Sequence, residues 1–135
     1  METDIVEWKV RAIRGATTAS GNTKEAIREA VSELLDALEA RNTIDPTHIV
    51  SVTFSVTRDL DAMFPAAVAR ERSHWQDVPL LDVQQMHVQG SLERCIRVLI
   101  HLNVAENIAE PQFSIHHTYL RKAQHLRPDW SVAEV

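Results

Sequence analysis

The run Arg94-Cys-Ile-Arg-Val-Leu-Ile-His-Leu102 constrains the fold most, because aliphatic residues alternate along it around a fixed central charge. Strand geometry puts Ile96, Val98, Ile100 and Leu102 on one face and Cys95, Arg97, Leu99 and His101 on the other. The first face belongs against a core. The second holds Arg97, which cannot shed its charge and is costly to bury without an anionic partner. Two readings fit Arg97: a strand arginine paired with a carboxylate, or a cation that holds an anionic ligand. Its face-mates Leu99 and Cys95 are not those of a solvated surface, which favours the ligand. A second arginine, Arg14, lies in Arg11-Ala-Ile-Arg-Gly-Ala-Thr-Thr18. It precedes Gly15, whose freedom to adopt turn geometry suggests close approach of a ligand; an exposed strand-end arginine is the plainer alternative. Together the two arginines suggest a pocket for a small molecule rich in carboxylates.

The remaining pattern supplies the scaffold. Residues 8–18 read as a strand ending near Gly15. Asn22, with Glu25 three positions on, reads as a helix N-cap and its capping partner. Ile27, Ala30, Val31, Leu34, Leu35 and Leu38 then recur at helical spacing, predicting a helix over about 23–41. Pro46 marks a turn, and the β-branched run over 49–56 reads as a strand. A loop over 59–63 leads to Pro65, suited to the first turn of a short helix over 66–71. Strands follow over 78–86, with Pro79 tolerated only near its start or at an edge, over 94–102, and, after a polar loop, over 113–120. The order β-α-β-α-β-β-β predicts one α/β domain over 1–135, with residues 1–8 as an extension. So few helices leave a sheet face to bury, and oligomerisation is the simplest remedy.

Composition removes several classes of function. A net charge of −5, from 14 basic and 19 acidic residues, argues against a general binder of nucleic acid or anionic membrane. No apolar run is long enough to span a bilayer, and the acidic N-terminus does not resemble a signal peptide. A single cysteine excludes an internal disulfide, and these features together predict a cytoplasmic protein. The seven histidines show no metal-ligand spacing; His116 and His117, on a strand, would point to opposite faces. Cys95 reads as a small buried thiol rather than a nucleophile. With only three glycines, the chain has no phosphate-cradling loop. What is left is a site of fixed cations and hydrogen-bond donors, with no evident nucleophile or metal.

Spaced motifs then carry a specific resemblance. Arg-Gly-Ala-Thr-Thr (14–18), Asp-Leu-Asp-Ala-Met-Phe-Pro-Ala (59–66), Ala-Arg-Glu (69–71) and Trp-Gln-Asp-Val-Pro (75–79) stand in order. They are followed by Gly-Ser-Leu-Glu-Arg-Cys-Ile-Arg-Val (90–98), Tyr-Leu-Arg-Lys (119–122) and Leu-Arg-Pro-Asp (126–129). From Arg11 to Asp129 the chain resembles the AroH-type, monofunctional bacterial chorismate mutases. The resemblance implies a mixed five-stranded sheet with two helices, in a homotrimeric pseudo-α/β-barrel with active sites at subunit interfaces. It implies conversion of chorismate to prephenate, on the way to phenylalanine and tyrosine, without cofactor, metal or covalent intermediate. Carried over position by position, Arg97 contacts the breaking ether oxygen and a side-chain carboxylate, while Arg14 and Tyr119 hold the enolpyruvyl carboxylate. Phe64, Ala66 and Leu81 line the pocket, with Arg70 nearby, contributed by the neighbouring subunit. Leu126 and Arg127 belong to the C-terminal segment that borders the entrance.

The chain departs from the family at three positions. A glutamate that accepts the substrate hydroxyl is Gln85 here, the position three earlier, commonly cysteine, is Asp82, and a lysine at the pocket mouth is Ala67. The expectation is that the carboxylate has moved from 85 to 82. Regular alternation puts those side chains on opposite faces, so the exchange calls for a bulge or twist. Two other readings of such a trimer remain open: a module that merely binds a carboxylate ligand as a regulator, and a structural trimer without pocket chemistry.

Overall fold

A computed structural model describes residues 5–107 and 114–131. Five strands and two helices follow the expected order: β1 (Val6–Thr18), α1 (Lys24–Arg41), β2 (Ile49–Val56), α2 (Pro65–Arg70), β3 (Leu80–Gln84), β4 (Cys95–Asn107) and β5 (Thr118–Tyr119). The strands form one mixed sheet in the order β3-β2-β4-β1-β5. β4 runs antiparallel to both β1 and β2, while β3 and β5 add parallel edges.

Helix α1 buries the six residues its periodicity singled out, against Ile13, Val52, Phe54, Ile96, Val98 and Ile100. Burying aliphatic side chains of this size contributes about 1.5–3 kcal/mol each, enough to fix which face of the sheet the helix takes. Helix α2 joins the same core through Ala66, Val68 and Ala69. The residues of β4 alternate as expected, with Ile96, Val98, Ile100 and Leu102 inside. Across the opposite sheet face run Arg14, Ala16, Arg97, Leu99, His101, Thr53 and Ser55. Val10, Leu81 and Val83 leave 62%, 59% and 41% of their surface exposed on that face.

Several boundaries differ from expectation for physical reasons. β1 does not end near Gly15 but runs on to Thr18. A Cβ at Gly15 would stand 3.0 Å from Leu38 Cδ1, 3.1 Å from Val98 Cγ1 and 3.2 Å from Leu34 Cδ1. The glycine lets α1 press on the sheet; it does not open a turn for a ligand. Thr23, not Asn22, caps α1, its hydroxyl accepting the Ala26 N–H at 3.0 Å. Asn22 instead ties down the loop before α2, accepting the N–H groups of Asp61 and Ala62 and donating to the Asp61 carboxylate.

β4 also extends five residues beyond the expected strand, to Asn107, where it pairs with Val6. Residues 6–8, expected to belong to an extension, are therefore part of the sheet. The extra length was hidden by Glu106, a charge at an inward position. It is buried and held by the Arg11 fork, with Nη2 at 2.7 Å and Nε at 3.1 Å from Oε1. The strand expected over 78–86 is confined to Leu80–Gln84. Of the strand expected over 113–120, only Thr118–Tyr119 pairs, beside Gly15 and Ala16, and residue 113 lies outside the described residues.

Candidate active site

One row of residues crosses the face opposite α1 at the level of Arg97, partly covered by the turn over 121–125. Ser55 on β2 faces Arg97 on β4, Arg97 faces Ala16 on β1, and Ala16 pairs with Tyr119 on β5. Ala16 is fully buried, packed with Tyr119 and Ala123. Arg14, opposite Leu99, sits one diagonal step from Arg97 on the same face. The sheet register thus brings Arg97, Arg14 and Tyr119 together.

Two polar atoms of this row are left without partners. Arg97 Nε and the Tyr119 hydroxyl are buried and have no hydrogen-bond partner among the described residues. Leaving such groups unpaired costs about 1–3 kcal/mol each, so each calls for a partner such as a ligand, an ordered water or a neighbouring chain. Thr17 Oγ1, Arg72 Nε and Arg94 Nε are unpaired among the described residues as well. Arg97 forms no ion pair with a carboxylate among the described residues. Neighbouring Cys95 is buried, and burial pushes its thiol up despite the opposing Arg97 charge, so it is not a ready nucleophile.

The C-terminal turns bring Arg127 to the same corner. Its guanidinium lies 3.4 Å over the Trp130 ring and forks onto Asp129, at 3.0 Å and 2.8 Å. Arg14 approaches the same ring at 5.6 Å. His117, which lies outside any strand, accepts the Arg14 backbone N–H at Nδ1 over 2.9 Å. Burial first, then the charges of Arg14 and Arg127, hold its pKa below the usual histidine range. Leu126 caps the preceding turn and is 36% exposed. Ala16 and Trp130 were not singled out from sequence. Ala16 is marked only by its size, and Trp130 only by following Arg-Pro-Asp.

A second group gathers on the other side of the sheet edge. Asp82 pairs in register with the core residue Phe54, and its Oδ1 accepts the Ala66 N–H at 2.9 Å. Burial raises its pKa, against the pull of that N–H and of Arg70. Phe64, 70% exposed, lines a cleft of about 450 Å³ with Ala66, Arg70 and Asp82. The β2–β3 register is unbroken, with no bulge in β3. The Gln85 N–H continues the ladder to Val56 O at 2.8 Å, so alternation carries Gln85 to the face of Val83, Ser55 and Arg97. Its Oε1 is buried and unpartnered too. Within one chain, then, Asp82 does not stand in for Gln85, and the bulge that such an exchange called for is absent. Leu81 is on the Arg97 face, on the edge strand opposite Thr53.

The scaffold is an α/β domain: a mixed five-stranded sheet with α1 and α2 on one face and the Arg14, Arg97 and Tyr119 row on the other. The sequence pattern of the family Chorismate mutase type I matches residues 10–130, and the chain belongs to that family. It is 42% identical over 125 residues to the chorismate mutase AroH of Bacillus subtilis (strain 168), covering 93% of this chain and 95% of that protein. It is 44% identical over 126 residues to the chorismate mutase AroH of Thermus thermophilus, covering 93% and 99%. Among solved structures, a chorismate mutase from Clostridium thermocellum superposes with a TM-score of 0.74 at 39% identity, over 85% of this chain and 98% of that one.

Proposed function

We propose that the chain converts chorismate to prephenate by an intramolecular Claisen rearrangement, in phenylalanine and tyrosine biosynthesis in the cytoplasm. The observation that carries this reading is the unpartnered Arg97 Nε and Tyr119 hydroxyl, flanking Ala16 on one face of the sheet. The substrate is a dianion, and its ether oxygen gains negative charge as the C–O bond breaks and the new C–C bond forms within the same molecule. A preorganised cation at that oxygen stabilises the transition state more than the ground state; Arg97 takes this role. Arg14 and Tyr119 hold the enolpyruvyl carboxylate, and Arg127 borders the entrance beside Leu126. These contacts select the folded conformer in which the reacting carbons approach. Nothing is transferred to the protein, so no nucleophile, cofactor or metal is needed.

The site is shared between subunits of a homotrimer. Exposed Val10, Leu81 and Val83 on the helix-free face give neighbouring copies an apolar surface to cover. The Phe64, Ala66, Arg70 and Asp82 group faces away from the Arg97 row of its own chain, as a half-site offered to a neighbour would. On this reading the carboxylate exchange between positions 85 and 82 works across the interface and needs no bulge. Gln85 of one subunit and Asp82 of the next share the substrate hydroxyl.

The test is direct. Purified protein is added to chorismate, the ultraviolet absorbance is followed, and the product is identified, with and without chelator. Prephenate should form at the same rate in both, and failure to form it would overturn the reading.

A further inference from the structure

We propose that Trp130 is a positioning residue of this site, its indole ring acting as a seat that fixes the guanidinium groups of Arg14 and Arg127 beside the Tyr119 hydroxyl. The proposal rests on the reading of Arg14, Tyr119 and Arg127 as substrate-holding residues.

One ring makes four contacts that converge on those residues. Arg127 Cζ stands 3.4 Å from the ring centroid and Arg14 Cζ 5.6 Å, both within the range of cation–π attraction. The Arg127 guanidinium is held from two sides, by the ring face and by its fork onto Asp129. The Tyr119 ring meets the indole edge-on, with centroids 5.6 Å apart and planes at 72°. The His117 ring packs 4.1 Å away and, through Nδ1, accepts the backbone N–H of Arg14. The seat itself is tethered: Trp130 N donates to Arg127 O at 2.9 Å, and Ser131 bridges to Tyr119. A residue that only filled space beside Ala16 and Ala123 would not gather two cations.

The substrate carboxylates carry the same charge in the ground and transition states. Losing the seat therefore weakens binding more than chemistry, and appears in KM rather than kcat. Steady-state kinetics with chorismate on Trp130→Leu and Trp130→Ala should show KM raised by about tenfold with kcat within about threefold, the scale of one or two lost cation–π contacts. Trp130→Phe, which keeps a ring face, should recover most of the loss. A Trp130→Leu enzyme with wild-type KM, or a Trp130→Phe enzyme as impaired as Trp130→Leu, would show that the ring only packs.

Fluorescence gives a readout that needs no turnover. Arg127→Ala should shift the tryptophan emission of the wild-type background and leave that of the Trp130→Phe background unchanged; equal shifts in both would overturn the seat. If the wild-type chain fails to turn over chorismate, the functional reading falls, while the fluorescence result still tests whether Arg127 rests on Trp130.

Discussion

Replacing Arg97 with alanine separates a catalytic cation from a structural one, because the two roles make opposite demands on stability. A strand arginine in a buried ion pair leaves an uncompensated charge behind when it is removed, at a cost of about 3–5 kcal/mol. Arg97 has no carboxylate partner among the described residues, and its Nε is already without a hydrogen bond. Its removal relieves an unpaired buried donor, so thermal unfolding should move by no more than a few degrees. Catalysis should respond far more strongly. Taking away one preorganised donor at the developing oxyanion costs about 2.7–4 kcal/mol, a hundredfold to thousandfold in kcat. The assay is the fall in chorismate absorbance at saturating substrate, beside a melting curve on the same preparation. Arg97→Lys should recover only part of the loss, since an ammonium lacks the planar fork of guanidinium donors. A variant with near-normal kcat and a large loss of stability would return Arg97 to a structural role and refute the reasoning.

Two further outcomes follow from the geometry. Asp82→Ala should lower kcat/KM by about tenfold to a hundredfold, the scale of one hydrogen bond to a charged group, and Gln85→Glu should restore part of that loss, with non-additive coupling in a double-mutant cycle; simple additivity would make Asp82 only a cap for the Ala66 N–H. His117, with its lowered pKa and an Nδ1 that must stay unprotonated to accept from Arg14, contributes stability present in full above the ordinary value near 6.5 and lost as pH falls through its folded value. Melting temperatures between about pH 7.5 and 5 should therefore fall more steeply for wild type than for His117→Asn, which keeps an acceptor but does not titrate; parallel curves would contradict this.

The parts of the fold that were legible in the sequence are those with local, periodic causes. The apolar stripe from Ile27 to Leu38 and the alternation from Ile96 to Leu102 state their burial directly, because helix and strand periods leave little choice of face. Gly15 was ambiguous because its reason lies at a distance: Leu34 and Leu38 press on it from a helix that begins nine residues later. Asn22 and Thr23 are both good capping residues, and only the position of the 61–62 loop decides between them. Glu106 concealed the end of β4 because its partner, Arg11, stands 95 residues away.

The same division runs through the candidate site. Arg14 and Arg97 stood out as fixed charges in strand sequence and Tyr119 by resemblance, and strand register then explains why they share one face. Ala16 between them has no signal beyond its small size. Trp130 acquires its meaning only when the C-terminal turns fold back onto His117 and Tyr119. The opposite facing of Asp82 and Gln85 was readable from alternation alone.

The central claim is that Arg97 and the α2 group complete one site from two subunits, and mixing two inactive variants tests it most directly. Arg97→Ala and Arg70→Ala subunits, unfolded together in equal amounts and refolded, should assemble at random into mixed trimers. About one quarter of their interfaces would then pair an intact Arg97 row with an intact α2 cleft, and about that fraction of wild-type turnover should return. Sedimentation equilibrium on the same sample should give a mass of three chains. A mixture no more active than its two components, or a fully active wild-type monomer, would contradict the account.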